Sequence, residues 1–110
     1  MAPYRPRLID SRIERKLRSS GGVLIRGARQ AGKTTTALRH AASAARLDEP
    51  SSRRLTEVEP AAILDCATPR LIDEWQMVPD VWNVVRHEID ARQTKGQFIL
   101  TGSAITLGEF

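Results

Sequence analysis

A chain of 110 residues with 41% hydrophobic and 27% charged residues has the length and composition of one small globular domain. It contains no apolar run of the roughly 18 residues that span a bilayer, so we expect no membrane partner. Its single cysteine, Cys66, cannot form an internal disulfide and favours a reducing compartment, which predicts a cytoplasmic protein. The net charge of +4 is uneven, because residues 1–30 carry eight basic side chains against Asp10 and Glu14 alone. Such a segment predicts a solvated helix face or, as the weaker alternative, contact with nucleic acid.

The first third of the chain predicts a helix, a turn and a strand. Apolar residues at four-residue spacing indicate a short charged helix over 12–18. Paired serines and glycines at 19–22 then indicate a turn. The continuous apolar run at 23–25 is typical of a strand that is buried on both faces of a parallel sheet.

Residues 27–34 match the phosphate-binding pattern G-x-x-x-x-G-K-[ST] and follow that strand directly. Gly27 and Gly32 permit backbone angles and close approaches that a Cβ would obstruct, so the loop N–H groups and the start of the next helix can hold phosphate oxygens. The pattern predicts that Lys33 contacts the β and γ phosphates and that the Thr34 hydroxyl binds Mg²⁺. A glycine-rich turn with an incidental Lys-Thr is the alternative. The predicted ATP contacts are Gly27, Ala28, Arg29, Gln30, Ala31, Gly32, Lys33, Thr34 and Thr35.

Beyond the loop, an alanine-rich stretch predicts a helix over 34–47. The polar segment 48–59 predicts a loop, and 60–64 predicts one helical turn. His40 and His87 fall on predicted helices, where we expect them to be exposed and, without metal-ligand spacing, not to bind zinc. The residues of the alanine-rich helix expected to face the core are Leu38, Ala42, Ala45 and Leu47.

Residues 70–74 predict a second apolar strand, which ends in two acids. Asp73 is expected to hold Mg²⁺ through water, and Glu74 to polarise the attacking water as a general base. Acids that are merely solvated at a strand end are the alternative, but the loop upstream favours a phosphate-transfer site. Trp75 is expected to be a packing anchor, as is Trp82, or else to line the mouth of that site.

The last predicted elements are a helix over 79–92 and a third strand over 97–101. Strands that alternate with helices predict an α/β fold with a parallel sheet flanked by helices. Thr101 and Ser103 lie at the strand end that faces bound phosphates in sheets of this type. Their hydroxyls are candidates for positioning the attacking water or contacting the γ phosphate. A turn that only satisfies backbone groups is the alternative.

Three blocks of this sequence resemble those of the prokaryotic AAA-type ATPases that carry an uncharacterised C-terminal domain. The blocks are Gly-x-Arg-Gln-x-Gly-Lys-Thr, Arg-Leu-Ile-Asp-Glu-Trp-Gln and Phe-Ile-Leu-Thr-Gly-Ser-Ala, and the likeness covers nearly the whole chain. The resemblance implies that 1–110 is the N-terminal part of an AAA+ P-loop NTPase core. It also implies ATP and Mg²⁺ as cofactors, ATP hydrolysis in a complete member, and assembly into homo-oligomers. The implied motifs are the Walker A loop at 27–34, the Walker B segment at 71–74, and a strand at 97–103 that carries the sensor residue, Thr101 or Ser103.

The chain departs from that family in length and at two loop positions. Ala28 and Ala31 stand where the family usually has Pro and Val, at variable positions of the loop. Family members continue well beyond the Thr-Gly-Ser block, so we expect a C-terminally incomplete core without the fifth strand, arginine finger, helical lid and C-terminal domain. The fifth strand would lie beside the first, and its absence would leave 23–26 as an open edge. ATPase activity therefore stays open, and the alternatives are a nucleotide-responsive or nucleic-acid-associated module without useful turnover and a non-functional fragment.

Overall fold

The computed structural model of the protein describes residues 8–26 and 33–102. No helix within these ranges is long and apolar enough to cross a bilayer. Short 3₁₀ turns span Pro60–Leu64 and Trp75–Met77. The helices are α1 (Leu8–Ser19), α2 (Lys33–His40), α3 (Pro50–Val58) and α4 (Val81–Arg92), and the strands are β1 (Gly22–Arg26), β2 (Ser43–Arg46), β3 (Arg70–Asp73) and β4 (Phe98–Gly102).

The described strands form one sheet in the order β1-β4-β3-β2, and every neighbouring pair is parallel. The register places Asp73 beside Thr101 and Arg26 beside Gly102, so the carboxyl ends of β1, β3 and β4 lie level with one another. This architecture confirms the predicted parallel α/β fold. It also makes β1 an outer strand of the described sheet, and it brings Asp73 and Thr101 to the same end of that sheet.

Helices cover the sheet on both faces, as the side chains of β4 illustrate. Phe98 and Leu100 belong to one buried cluster, with residues of α4 and the two 3₁₀ turns, whereas Ile99 belongs to a second, with residues of α1 and α2. Each of these three side chains is fully buried, and such burial stabilises the folded state by about 1.5–3 kcal/mol per residue. In β1 the same alternation holds, but Leu24 is only partly buried because its strand lies at the edge. The predicted helices α1 and α4 and the helical turn at 60–64 are confirmed.

The predicted helix over 34–47 is wrong in its second half, because the chain turns there into strand β2. The backbone N–H of Leu47 donates to a carbonyl of β3 (3.0 Å), which extends the pairing of the two strands. Alanine's helix propensity is a weak preference that tertiary pairing overrides, and this pairing leaves Ala45 and Leu47 with 8% and 0% exposure. Leu38 and Ala42, which we expected to face the core, are exposed instead.

The segment 48–59, predicted as a loop, contains helix α3. Pro50 occupies its first turn, where the missing N–H has no intrahelical partner to lose, and Thr56 is buried. Its large apolar residues, Leu55 and Val58, are 59% and 84% exposed. The helix therefore lacks the core-facing apolar stripe by which helices are identified in a sequence.

His40 is not exposed, contrary to the prediction. Its side chain is 11% exposed, and its Nε2 lies 2.8 Å from Oδ1 of Asp10, whose side chain is 8% exposed. The pair joins the end of α2 to α1, which covers the same face of the sheet. Because buried polar groups are normally hydrogen-bonded, this contact gives the largely buried imidazole a partner. His87 is exposed, as predicted.

Candidate functional site

Three elements converge on the Asp73 carboxylate at the end of β3. Asp73 is 3% exposed, and its Oδ1 accepts hydrogen bonds from the hydroxyls of Thr34 (2.9 Å) and Thr101 (2.5 Å). Thr34 lies in the first turn of α2, and Thr101 lies in β4. Hydroxyl bonds to an ionised carboxylate are shorter and stronger than neutral ones. The fold thus brings together both residues predicted to hold Mg²⁺ and one of the two hydroxyl residues predicted near the phosphates.

Glu74 lies one residue beyond β3, and not within it as predicted. Its backbone is left-handed, with φ 59° and ψ 52°, a conformation that costs a non-glycine residue on the order of 1–3 kcal/mol and concentrates at functional sites. Its N–H donates to the Thr101 hydroxyl (3.2 Å), and its Oε2 accepts from Nε2 of Gln76 (2.9 Å). The residue is 4% exposed. Thr101 and Gln76 therefore hold the backbone and the side chain of Glu74 in a defined place.

Sequence reasoning missed Gln76 and Gly102 as residues of this site. Gln76 contacts the Glu74 carboxylate directly. A Cβ on Gly102 would lie 2.8 Å from Nε1 of Trp75, closer than real Cβ contacts, and 3.0 Å from Oε1 of Gln76, which is tighter than most of them. Two signals in the sequence point to them: Gln76 closely follows the two acids and Gly102 follows Thr101, and both lie within blocks that resemble the AAA-type ATPases.

Trp75 is buried, at 6% exposure, and its ring lies 5.0 Å from that of Trp82 between centroids, which confirms that Trp75 is a packing anchor. Its indole Nε1 is also buried, and it has no hydrogen-bond acceptor among residues 8–26 and 33–102. This N–H lies next to Gly102 at the end of β4. A buried donor without an acceptor is costly. Among the described residues, the contact that positions this ring is therefore its packing against Trp82.

Part of the predicted site lies outside the described residues. The backbone of Lys33 begins α2, but its side chain is not among those described. Thr35 is exposed on the same helix. The predicted site residues outside the described ranges are Gly27, Ala28, Arg29, Gln30, Ala31, Gly32 and Ser103.

The donor atoms around Asp73 fit a magnesium ion. The Thr34 hydroxyl and the Asp73 carboxylate are hard oxygen donors whose atoms lie 2.9 Å apart. Mg²⁺ is commonly held by one or two carboxylates, the phosphates of a substrate and several waters. Within the described ranges no group of three or more His, Cys, Asp or Glu side chains is placed to hold a metal by itself. The two oxygens thus match part of such a ligand set.

Comparison with known proteins agrees with this geometry. A family model described as an AAA domain matches residues 19–108, which include all four strands of the sheet and every residue around Asp73. No curated protein and no solved structure matches the chain. AAA domains are, as a family, nucleotide-binding and nucleotide-hydrolysing domains. With this match over most of its length, and with a parallel α/β sheet whose acids and hydroxyls meet at one end, the chain belongs to the AAA domain family.

Proposed function

We propose that the chain binds ATP with Mg²⁺ at the carboxyl end of its sheet, and that the site directs water onto the γ phosphate. The observation that carries the proposal is the contact of the Thr34 and Thr101 hydroxyls with Oδ1 of Asp73, at 2.9 and 2.5 Å. A hydroxyl at the start of a helix and an aspartate at the end of a buried strand are the groups that hold Mg²⁺ in P-loop NTPases. The loop pattern at 27–34 supports the same assignment.

Thr34, Asp73 and Lys33 are the residues proposed to hold the metal and the phosphates. Thr34 would ligate Mg²⁺ directly and Asp73 through water, while the Lys33 ammonium would contact the β and γ phosphates. When bound, Mg²⁺ neutralises charge on the β and γ oxygens. The N-terminus of α2 adds its positive dipole end to that field.

Glu74 is the proposed general base, which would accept a proton from the attacking water. Its hydrogen bonds to Thr101 and Gln76 support this role, because a base must be held in one orientation to act on a water molecule. The Thr101 hydroxyl donates to the Asp73 carboxylate and accepts from the backbone N–H of Glu74, which supports a role in placing both acidic residues. Ser103 stays a candidate for contact with the γ phosphate.

Partners and location are wider parts of the proposal. Assembly into a homo-oligomer rests on the family resemblance, and a cytoplasmic location rests on the single cysteine. The basic residues of α1 are exposed, which agrees equally with a solvated face and with a phosphate-rich partner such as nucleic acid. These exposed side chains are Arg12, Arg15, Lys16 and Arg18.

Replacing the loop lysine tests the nucleotide assignment. Mg-ATP should raise the Tm of the wild-type chain by about 5 °C at a concentration about tenfold above Kd, because a ligand that binds only the folded state stabilises it. Lys33→Ala should abolish this shift, since it removes the phosphate-contacting charge. Lys95→Ala is the matched control, because Lys95 is an exposed lysine far along the chain from the loop.

Thermal shift and circular dichroism together give the result. We expect equal helical signal in the wild type and both variants, a full ATP-dependent shift in Lys95→Ala, and none in Lys33→Ala. An undiminished shift in Lys33→Ala would rule out the phosphate-loop assignment.

A further inference from the structure

Glu74 lies just beyond β3, where contacts from other elements can orient it. It follows the last residue of β3 and adopts the left-handed conformation, so its backbone departs from the extended geometry of the strand. Its N–H donates to Thr101 (3.2 Å), which secures the backbone alone. The carboxylate, in a residue only 4% exposed, requires a separate partner.

Gln76 supplies a contact to that carboxylate from the 3₁₀ turn that follows it. Its Nε2 lies 2.9 Å from Oε2 of Glu74. The turn is tied back to the same glutamate, because the backbone N–H of Met77 donates to the Glu74 carbonyl (3.1 Å). A carboxamide that donates to a carboxylate fixes which way the carboxylate faces and leaves its charge in place.

The position of this turn depends on packing and on a glycine in β4. Trp75, the first residue of the turn, is anchored against Trp82 with 5.0 Å between ring centroids. A Cβ on Gly102 would lie 3.0 Å from Gln76 Oε1 and 2.8 Å from Trp75 Nε1. Because the end of β4 carries no side chain there, the Gln76 carboxamide has room beside the strand.

We propose that Gln76 is the positioning residue of the catalytic glutamate, and that Gly102 provides the space in which it does so. This inference rests on the proposed function of Glu74 as general base. Gln76 acts through Glu74 and not on the nucleotide, so its loss should slow hydrolysis and leave Mg-ATP binding intact.

The experiment measures single-turnover hydrolysis of γ-labelled ATP, with the chain in excess, beside the Kd for Mg-ATP. Gln76→Met keeps the side-chain length and removes the donor, while Gln76→Glu keeps the shape and opposes the Glu74 charge. Asn83→Ala, at an exposed position of α4, is the control.

Both Gln76 variants should slow hydrolysis about 10- to 100-fold, as is typical when a hydrogen-bonding partner that orients a functional side chain is removed. The Kd for Mg-ATP should change less than twofold. Gly102→Ala should act in the same direction through its added Cβ.

A second readout does not depend on turnover. The side-chain amide signals of Gln76 in a ¹H–¹⁵N NMR spectrum should move on Glu74→Gln and stay in place on Asn83→Ala. Unmoved Gln76 signals, or wild-type hydrolysis in both Gln76 variants, would overturn the inference. A wild type that hydrolyses no faster than Glu74→Gln would instead count against Glu74 as a base, and the NMR result would still decide the Gln76 contact.

Discussion

The hydroxyl of Thr101 donates a hydrogen bond to the Asp73 carboxylate and accepts one from the backbone N–H of Glu74. Thr101 is fully buried, so loss of its hydroxyl leaves two buried groups without this partner. One side chain on β4 therefore holds two consecutive residues at the end of β3. At the residue scale, this hydroxyl links the strand ends that carry the candidate site.

Thr101→Val removes the hydroxyl while keeping the shape of the side chain. We expect the free energy of unfolding to fall by about 1.5–3 kcal/mol, because a buried carboxylate and a buried N–H both lose a partner. Thr101→Ser, which keeps the hydroxyl and loses one methyl group, should cost only about 0.8 kcal/mol. Urea denaturation of the three proteins measures both values, and a valine variant at least as stable as the serine variant would refute this role.

Single residues of the site were predictable where a pattern links their chemistry to a spacing. Thr34, Asp73 and Thr101 were expected near one another because parallel strands align their carboxyl ends, and they do hydrogen-bond. Gln76 and Gly102 lie in blocks that resemble the family, but their contacts were not predictable. A glutamine is a common surface residue, and its contact with Glu74 depends on the left-handed backbone of Glu74 itself, which no residue pattern specifies.

At the scale of elements, strand β2 shows how tertiary pairing decides a structure that local preference leaves open. The stretch is rich in alanine, which favours helix, yet it pairs in parallel with β3. That pairing places Leu47, just beyond the strand, in the buried cluster that also contains Ile72 and Val85. Burial of this leucine and the backbone ladder together outweigh the helix preference.

Leu47→Ala tests this packing against a matched leucine on the surface. Leu47 has 0% exposure, so its truncation should lower the free energy of unfolding by about 2–5 kcal/mol. Leu55→Ala, at 59% exposure on α3, should change it by less than about 0.5 kcal/mol. Equal effects of the two substitutions in guanidinium denaturation would show that Leu47 is not part of the core.

Elements with a strong periodic or continuous apolar pattern were predictable, and those without one were not. The runs that became β1, β3 and β4 are apolar because helices cover both faces of the sheet. Helix α3 buries Thr56 and leaves Leu55 and Val58 in solvent. The large apolar residues of this helix are few and face solvent, and the segment is otherwise polar, so its composition indicated a loop.

At the scale of the whole molecule, the site exists only when the fold is assembled. Thr34 follows β1, which pairs with β4, and Asp73 ends β3, which pairs with the other edge of β4. The contact between Thr34 and Asp73 therefore spans two strand pairings and the start of α2. Because the unfolded chain has no such site, a nucleotide held there stabilises the whole domain.

Calorimetric titration of Mg-ATP into the wild type, Asp73→Asn and Glu74→Gln tests the central claim most directly, with each titration repeated in EDTA. The wild type should bind more tightly with Mg²⁺ than without it. Asp73→Asn should lose about tenfold or more of that affinity and its magnesium dependence, because a neutral amide is a poorer partner for the hydrated ion. Glu74→Gln should bind within twofold of the wild type, since its proposed role is in turnover. Equal binding in Mg²⁺ and EDTA, or a loss in Glu74→Gln as large as that in Asp73→Asn, would contradict this account of the site.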